Sequence, residues 1–276
     1  MTRLSLPDVA LCAVTSIALP ETVQALERCL DQVDFGSVRL LTDRPAYDAR
    51  PDIELQRIDP IRSREDYCEF IIRRLAEFVD LQHVLIVQWD GFIIDPSQWR
   101  AEFLDYDYIG APWPQFHDDR TVGNGGFSLR SRRLLELTAS PEFPGAHPED
   151  VSICRTYRRL LEAQGIRFAP RCIAEHFSFE RGRPTRSFGF HGLFNFPRVL
   201  PPDELKTTLD ALDSDLLAGR DGADLIIELA RRGDVHQARR LARKRRPRER
   251  WTIANVRFRV RLSALLLFNR IRSVGR

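Results

Sequence analysis

The stretch from His83 to Asp90 reads "HVLIVQWD", and the four residues from Val84 to Val87 are aliphatic without interruption. A strand with apolar side chains on both faces has to be covered on both faces, which is the situation of a central strand in a layered α/β protein. The flanking sequence supplies the covering layers. "VALCAVTSI" (9–17) reads as a strand, and "PETVQALERCLDQV" follows it with Val23, Leu26, Leu30 and Val33 at helical spacing. "SVRLLTD" and "IELQRI" read as two more strands. "SREDYCEFIIRRLAEFVD" reads as a helix with a Ser63 cap and acids in its first turn. This alternation predicts a mostly parallel central sheet flanked by helices. In such sheets ligands sit at the carboxyl ends of the strands. Asp90, followed by Gly91, lies at one of those ends.

Further along, "VGNGGFSLRS" predicts a glycine turn that enters a strand. "SRRLLELT" and "PEDVSICRTYRRLLEAQG" predict helices, the second ended by Gly165, and "IRFAP" predicts a strand. "FGFHGLFNFP" reads as irregular. The composition changes near residue 200. Residues 1–200 are expected to form the α/β domain, and residues 201–276 a helical hairpin, turning at Gly233-Asp234, with a basic tail.

The chain has 276 residues with four Trp and seventeen Phe, enough for a sizeable core. Its net charge of +3 hides an asymmetry. Residues 239–276 hold fourteen Lys or Arg against Glu249 alone, a charge of +13, which leaves the first 238 residues at −10. An anionic membrane surface is the expected partner of that tail. The aromatic platforms of RNA-binding modules are missing from it, so nucleic acid is not favoured. From Val256 to Leu262 its apolar residues alternate with period two rather than 3.6, so it does not read as a clean amphipathic helix. "ALLLF" is too short to span a bilayer. Arg3 before an apolar stretch resembles the start of a signal peptide, but Pro7 and Asp8 break the stretch, and a lead-in to a buried strand is the preferred reading. Five scattered cysteines without a CxxC pair predict reduced thiols and a cytoplasmic protein, peripheral on the inner membrane face if the tail docks there.

Several residues can carry chemistry, and each has a plain alternative. Asp90-Gly91 is a turn former as well as a metal or diphosphate site. Gly123, Gly125 and Gly126 around Asn124 permit close approach of a ligand, or simply a hairpin turn. Glu149 and Asp150 begin a helix, where acids complement the dipole. His191 lies between Gly189 and Gly192. Asp95 and the Asp118-Asp119 pair are further oxygen donors, with Asp95-Pro96 reading more readily as a loop or helix start. Trp89, Trp113 and Phe190 could stack on a base or sugar, or fill the core. Ser128 and Ser178 lack the GxSxG context of a nucleophile, and His176 reads as structural.

Taken in order, "QWDGFI", "YDYIGAPWP", "GNGGFSLRS", "PEDV" and "FGFHG" resemble a glycosyltransferase-like family filed as a domain of unknown function. The layout is similar to nucleotide-sugar transferases of the GT-A fold over roughly residues 8–196. The resemblance implies a GT-A-like sheet and transfer of a sugar from a nucleotide donor to a hydroxyl of a glycan or glycolipid, as in surface polysaccharide or lipopolysaccharide biosynthesis. It implies donor binding by Gln88, Trp89, Asp90, Gly91, Asn124, Gly125, Gly126 and His191. It implies an Asp150 general base in an inverting reaction, with Glu149 toward the acceptor. It also implies Mn²⁺ or Mg²⁺ on Asp90 and His191. The GT-A motif Asp-x-Asp is Gln88-Trp89-Asp90 here, so one of its two carboxylates is absent. A catalytically inert binding subunit docked through the basic tail is the competing expectation.

Overall fold

The structure is a computed structural model and describes residues 3–44, 50–184, 186–247, 249 and 251–274. The chain divides into two compact units, Met1–His191 and Gly192–Arg276.

The first unit begins with β1 (Leu4–Val14), α1 (Leu19–Leu30), β2 (Val33–Thr42), β3 (Glu54–Arg57), α2 (Arg64–Arg73) and β4 (His83–Val87). It continues through β5 (Gly91–Ile93), β6 (Tyr108–Ile109), β7 (Phe127–Ser131), α3 (Arg132–Ala139), α4 (Glu149–Val151), α5 (Arg158–Ala163), α6 (Arg171–Phe177), β8 (Ser178–Phe179) and β9 (Gly189–His191). A six-stranded sheet runs β3-β2-β1-β4-β7-β6. Its first four strands are parallel, and β7 is antiparallel to both β4 and β6. This is the expected α/β architecture with a mostly parallel sheet.

Local chemistry explains the element ends. Ser63 accepts from the Asp66 amide at 3.0 Å to start α2, and Ser131 accepts from Leu134 at 3.0 Å to start α3. Ala10, Cys12 and Val14 of β1 join Val84 and Ile86 of β4 in one core with Phe70 and Ile71 of α2 and Leu135 of α3. Burial of that face drives the layer together at about 25 cal/mol per Å² of apolar surface.

Four expectations need correction. Val33 does not continue α1 but opens β2, paired with Leu4. The first strand starts at Leu4 and ends at Val14, and Thr15 Oγ1 then accepts from the Ala18 amide. "IRFAP" forms only an isolated bridge, Phe168 to Tyr108. "FGFHG" is not irregular, because Gly189–His191 is a strand. That strand belongs to a second sheet, β5-β9-β8, which positions the candidate site.

The second unit contains α7 (Phe196–Val199), α8 (Pro202–Ala211), α9 (Ser214–Ala218), α10 (Arg220–Arg231), α11 (Val235–Lys244) and α12 (Ile253–Val274). Arg198 Nε and Nη2 reach the Glu228 carboxylate at 3.0 and 3.1 Å. Gly233 adopts φ 85°, and Asp234 accepts from the Gln237 amide at 3.1 Å, so the hairpin between α10 and α11 turns where the sequence indicates. The C-terminal basic extension is helical: 22 of its residues form α12. Residues 248, 250, 275 and 276 of that tail lie outside the described residues.

Candidate functional site

β4 ends at Val87, and the chain turns at once, with the Gly91 amide donating to Gln88 O at 3.0 Å. Gly91 then opens β5, whose register against β9 sets Gly91 opposite His191. A residue a hundred positions away is thereby fixed beside Asp90, with His191 Nε2 lying 3.2 Å from Asp90 Oδ1 and 3.2 Å from Gln88 Oε1. Its Nδ1 lies 3.2 Å from Asn124 Nδ2 and 3.7 Å from Glu180 Oε1. Burial alone would lower the imidazole pKa, but the carboxylates Asp90 and Glu180 outweigh it and hold it well above its ordinary value. Burial likewise would raise the Glu180 carboxyl, and the hydrogen bond from His191 outweighs that and holds it low. Asp90 therefore has both of the properties its sequence suggests: it sits in a turn, and it is a buried strand-end carboxylate with a charged neighbour.

The glycine turn is packed from inside by the protein. Asn124 sits at φ 65°, and its Oδ1 accepts from the Gly126 amide at 3.1 Å. A Cβ on Gly126 would meet His191 Nε2 at 2.1 Å, and one on Gly125 would meet Glu149 Oε1 at 1.9 Å. On the side where a Cβ would point, these glycines admit the chain's own imidazole and carboxylate. That close approach is what Gly at 125 and 126 provides.

Glu149 and Asp150 are neighbours with different surroundings. Glu149 is buried, and its Oε1 accepts from Arg130 Nη2 at 2.9 Å, the guanidinium itself being fully buried in β7. Arg130 also donates from Nε to Ser128 Oγ at 3.1 Å and stacks over Tyr108. Among the described residues, the second oxygen of Glu149 and Arg130 Nη1 have no hydrogen-bond partner. Glu149, expected to face an acceptor, is thus committed to Arg130. Asp150 is partly exposed. Desolvation first, and the Glu149 charge second, push its carboxyl up to about 6, against the pull of the Val151 amide, the Arg130 charge and the Gly125 amide. The turn runs from α4 through a π-helical segment, Ser152–Thr156, into α5.

The remaining expected residues disperse. Asp95 caps a short turn, accepting from the Ser97 amide at 3.1 Å. Asp118 pairs with Arg155 at 2.7 Å, which holds its carboxyl at about 2. Trp113 and Phe190 are core side chains, with Phe190 edge-on to Phe92 at 4.7 Å. Trp89 is half-buried in the Asp90 turn. Ser128 Oγ donates to Gly125 O, and Ser178 is buried in β8. Arg130 and Glu180 are the residues sequence reading missed. A lone Arg inside the buried run "FSLRS" was the available signal, because a charge in a central strand requires a partner.

Among the described residues, no group of three or more His, Cys, Asp or Glu side chains is arranged to hold a metal ion. Asp90 and His191 are brought together at 3.2 Å, and both imidazole nitrogens have neighbours within the chain. Gln88 adds a neutral oxygen where a second carboxylate would supply charge. Asp90 and Gln88 offer two oxygens and His191 a nitrogen, so a divalent cation held there would need phosphate oxygens and waters to complete its shell.

The model of the family DUF5672, described as "Protein of unknown function", matches residues 52–191, half of the chain. The chain belongs to that family. Four of the five motifs of this DUF5672 member lie wholly inside the matched segment, and the fifth, "FGFHG", ends one residue beyond it. No curated protein matches the chain. Similar solved structures include a glycosyltransferase involved in the glycosylation of the major capsid of PBCV-1. It is 11% identical, the match covers 74% of this chain and 99% of that one, and the TM-score is 0.43. Another is the mannosyltransferase PcManGT from Pyrobaculum calidifontis, solved in complex with GDP-Man and Mn²⁺, at 13% identity, 95% and 76% coverage and a TM-score of 0.42. A third is the glycosyltransferase GlyE of Streptococcus pneumoniae TIGR4, at 11% identity, 52% and 42% coverage and a TM-score of 0.34.

Proposed function

We propose that this protein is a GT-A-like sugar transferase that moves a sugar from a nucleotide donor to a hydroxyl of a glycan or lipid-linked glycan, with inversion. The observation that carries the reading is Asp150. It is a partly exposed carboxylate raised to about 6, touching the Gly125 amide of the turn that also packs against His191. A carboxylate tuned toward neutrality accepts a proton well near physiological pH. In the proposed step the acceptor O–H gives its proton to Asp150, and the oxygen bonds to the anomeric carbon. The bond from that carbon to the diphosphate oxygen breaks on the opposite side. Gln88, Trp89 and the His191–Asn124 pair form the donor side, and Glu149 with Arg130 holds the turn that carries the base. On the donor side His191 supplies a positive charge beside Asp90.

A second reading has its own support. Gln88 in place of a carboxylate, and a His191 engaged on both nitrogens, suit a degenerate transferase fold that binds without turnover. A panel of nucleotide sugars, screened for thermal stabilisation with and without Mn²⁺ and then for donor hydrolysis or transfer, separates the two. One selective donor should stabilise the fold by about 2.7 kcal/mol at a hundredfold excess over its dissociation constant, and the arms with and without Mn²⁺ show whether a metal is needed. Turnover of that donor supports the transferase, and binding without turnover supports the inert subunit. Stabilisation by no donor would remove both.

A further inference from the structure

The last helix resolves a puzzle in its sequence. Apolar residues alternate from Val256 to Leu262, a pattern that suits a strand, yet the segment is helical. At ~100° per residue, a step of two turns the side chain by roughly 200°. Period two on a helix therefore sends successive apolar residues to nearly opposite faces.

The structure shows both faces. Phe258, Leu262, Leu265 and Asn269 face inward: Leu262 is buried, and Asn269 Nδ2 donates to Ala230 O of α10 at 2.8 Å. Ile253, Val256, Val260, Leu267 and Ile271 fall within an arc of roughly 60° on the other side. All five are exposed, with Val260 at 66%, Leu267 at 60% and Ile271 at 64%. Arg257, Arg261 and Arg272 border this stripe on one side, and Arg259 and Arg270 border it on the other. Trp251 stands 79% exposed just before the helix.

We infer that the outer stripe of α12 is a docking surface for an anionic lipid bilayer, on which the helix lies flat. Three features select that occupant. The helix spans roughly 33 Å, and its narrow stripe suits shallow insertion along the interface plane. Both borders are arginine, whose stems can follow the apolar surface while their heads reach lipid phosphates. α12 contains no acidic residue, so α12 packed against the α12 of a second copy would set like charges against each other. The transferase reading is not required for this inference, which rests on the second unit alone. No described helix is long and apolar enough to cross a membrane.

The test is flotation of the full chain with phosphatidylcholine vesicles, with and without phosphatidylglycerol, at low and high salt. The wild type should float with the anionic vesicles and retain part of its binding at high salt, because the stripe contributes an apolar component. Val260→Asp combined with Leu267→Asp should reduce binding roughly tenfold or more, with circular dichroism and Tm unchanged, since neither side chain is buried. Arg257→Gln combined with Arg261→Gln should weaken binding at low salt and leave the high-salt fraction intact. The inference is overturned if the wild type ignores anionic vesicles, or if the double aspartate variant floats like the wild type. It is equally overturned if that variant instead dissociates a dimer or abolishes binding to nucleic acid without affecting flotation.

Discussion

The two acidic corners of the first unit differ in how their charge is balanced. At the Asp90 corner the buried carboxylate faces an imidazole that stands between two acids, which hold it charged, while the imidazole holds the Glu180 carboxyl low. At the Glu149 corner one carboxylate takes the buried guanidinium, and its neighbour Asp150 is left with a raised pKa. A buried pair favours a fixed geometry, whereas an uncompensated carboxylate is free to exchange a proton. Adjacent residues on one turn, Glu149 and Asp150, thus carry charge in opposite circumstances.

Removing the guanidinium should break that contrast most severely. Arg130→Met leaves Glu149 buried and unpaired, and should cost about 3–5 kcal/mol in urea unfolding. Pairing it with Glu149→Leu should recover much of the loss, because no orphan charge remains. Equal destabilisation in the single and double variants would show that the ion pair is not what holds the turn.

Asp150→Asn should have the opposite signature, losing function and gaining stability. Turnover should fall by about a hundredfold or more. A carboxyl whose folded pKa is raised from 3.8 to about 6 costs the folded state stability as pH rises through that window, and the full cost persists above it. The neutral amide avoids that cost, so the variant should be more stable at pH 7 by up to about 3 kcal/mol. A less stable variant would contradict the uncompensated charge.

His191→Gln sharpens the other side of the comparison. The raised imidazole pKa means that the pair's contribution is complete below about pH 6.5 and is lost as pH rises through the folded value. The variant should therefore be less stable than the wild type by roughly 1–3 kcal/mol near neutrality. The gap should narrow in alkaline buffer, and a gap independent of pH would indicate packing instead of charge.

The smallest effect belongs to an acid outside both corners. Asp95→Ala removes one turn cap and should cost about 0.5–1 kcal/mol, with turnover unchanged. A large loss of activity would extend the site to that loop.

The sheet was legible in the sequence because Val84–Val87 and its neighbours carry periodic apolar signals, and the caps Ser63 and Ser131 follow local rules. The second sheet was not, because β5, β8 and β9 have only two or three residues each and are defined by pairing between distant segments. Asp90, Asn124, Asp150 and His191 were picked out by their residue types beside glycines and at element ends. Their grouping was not readable, since it depends on the Gly91–His191 register. Arg130 carried a signal, as a lone charge inside the apolar strand "FSLRS", whereas Glu180 looks like a surface charge until its neighbour His191 is known. On α12 a period-two pattern concealed a helix with two apolar faces.

The most direct test of the account is the pH dependence of donor turnover by the wild type and by Asp150→Asn, once a donor has been found by thermal stabilisation. The wild type should gain activity through a single limb near pH 6, and the variant should be slow across the range without that limb. A variant as fast as the wild type, or one that keeps the same limb, would contradict the assignment of Asp150 as the base.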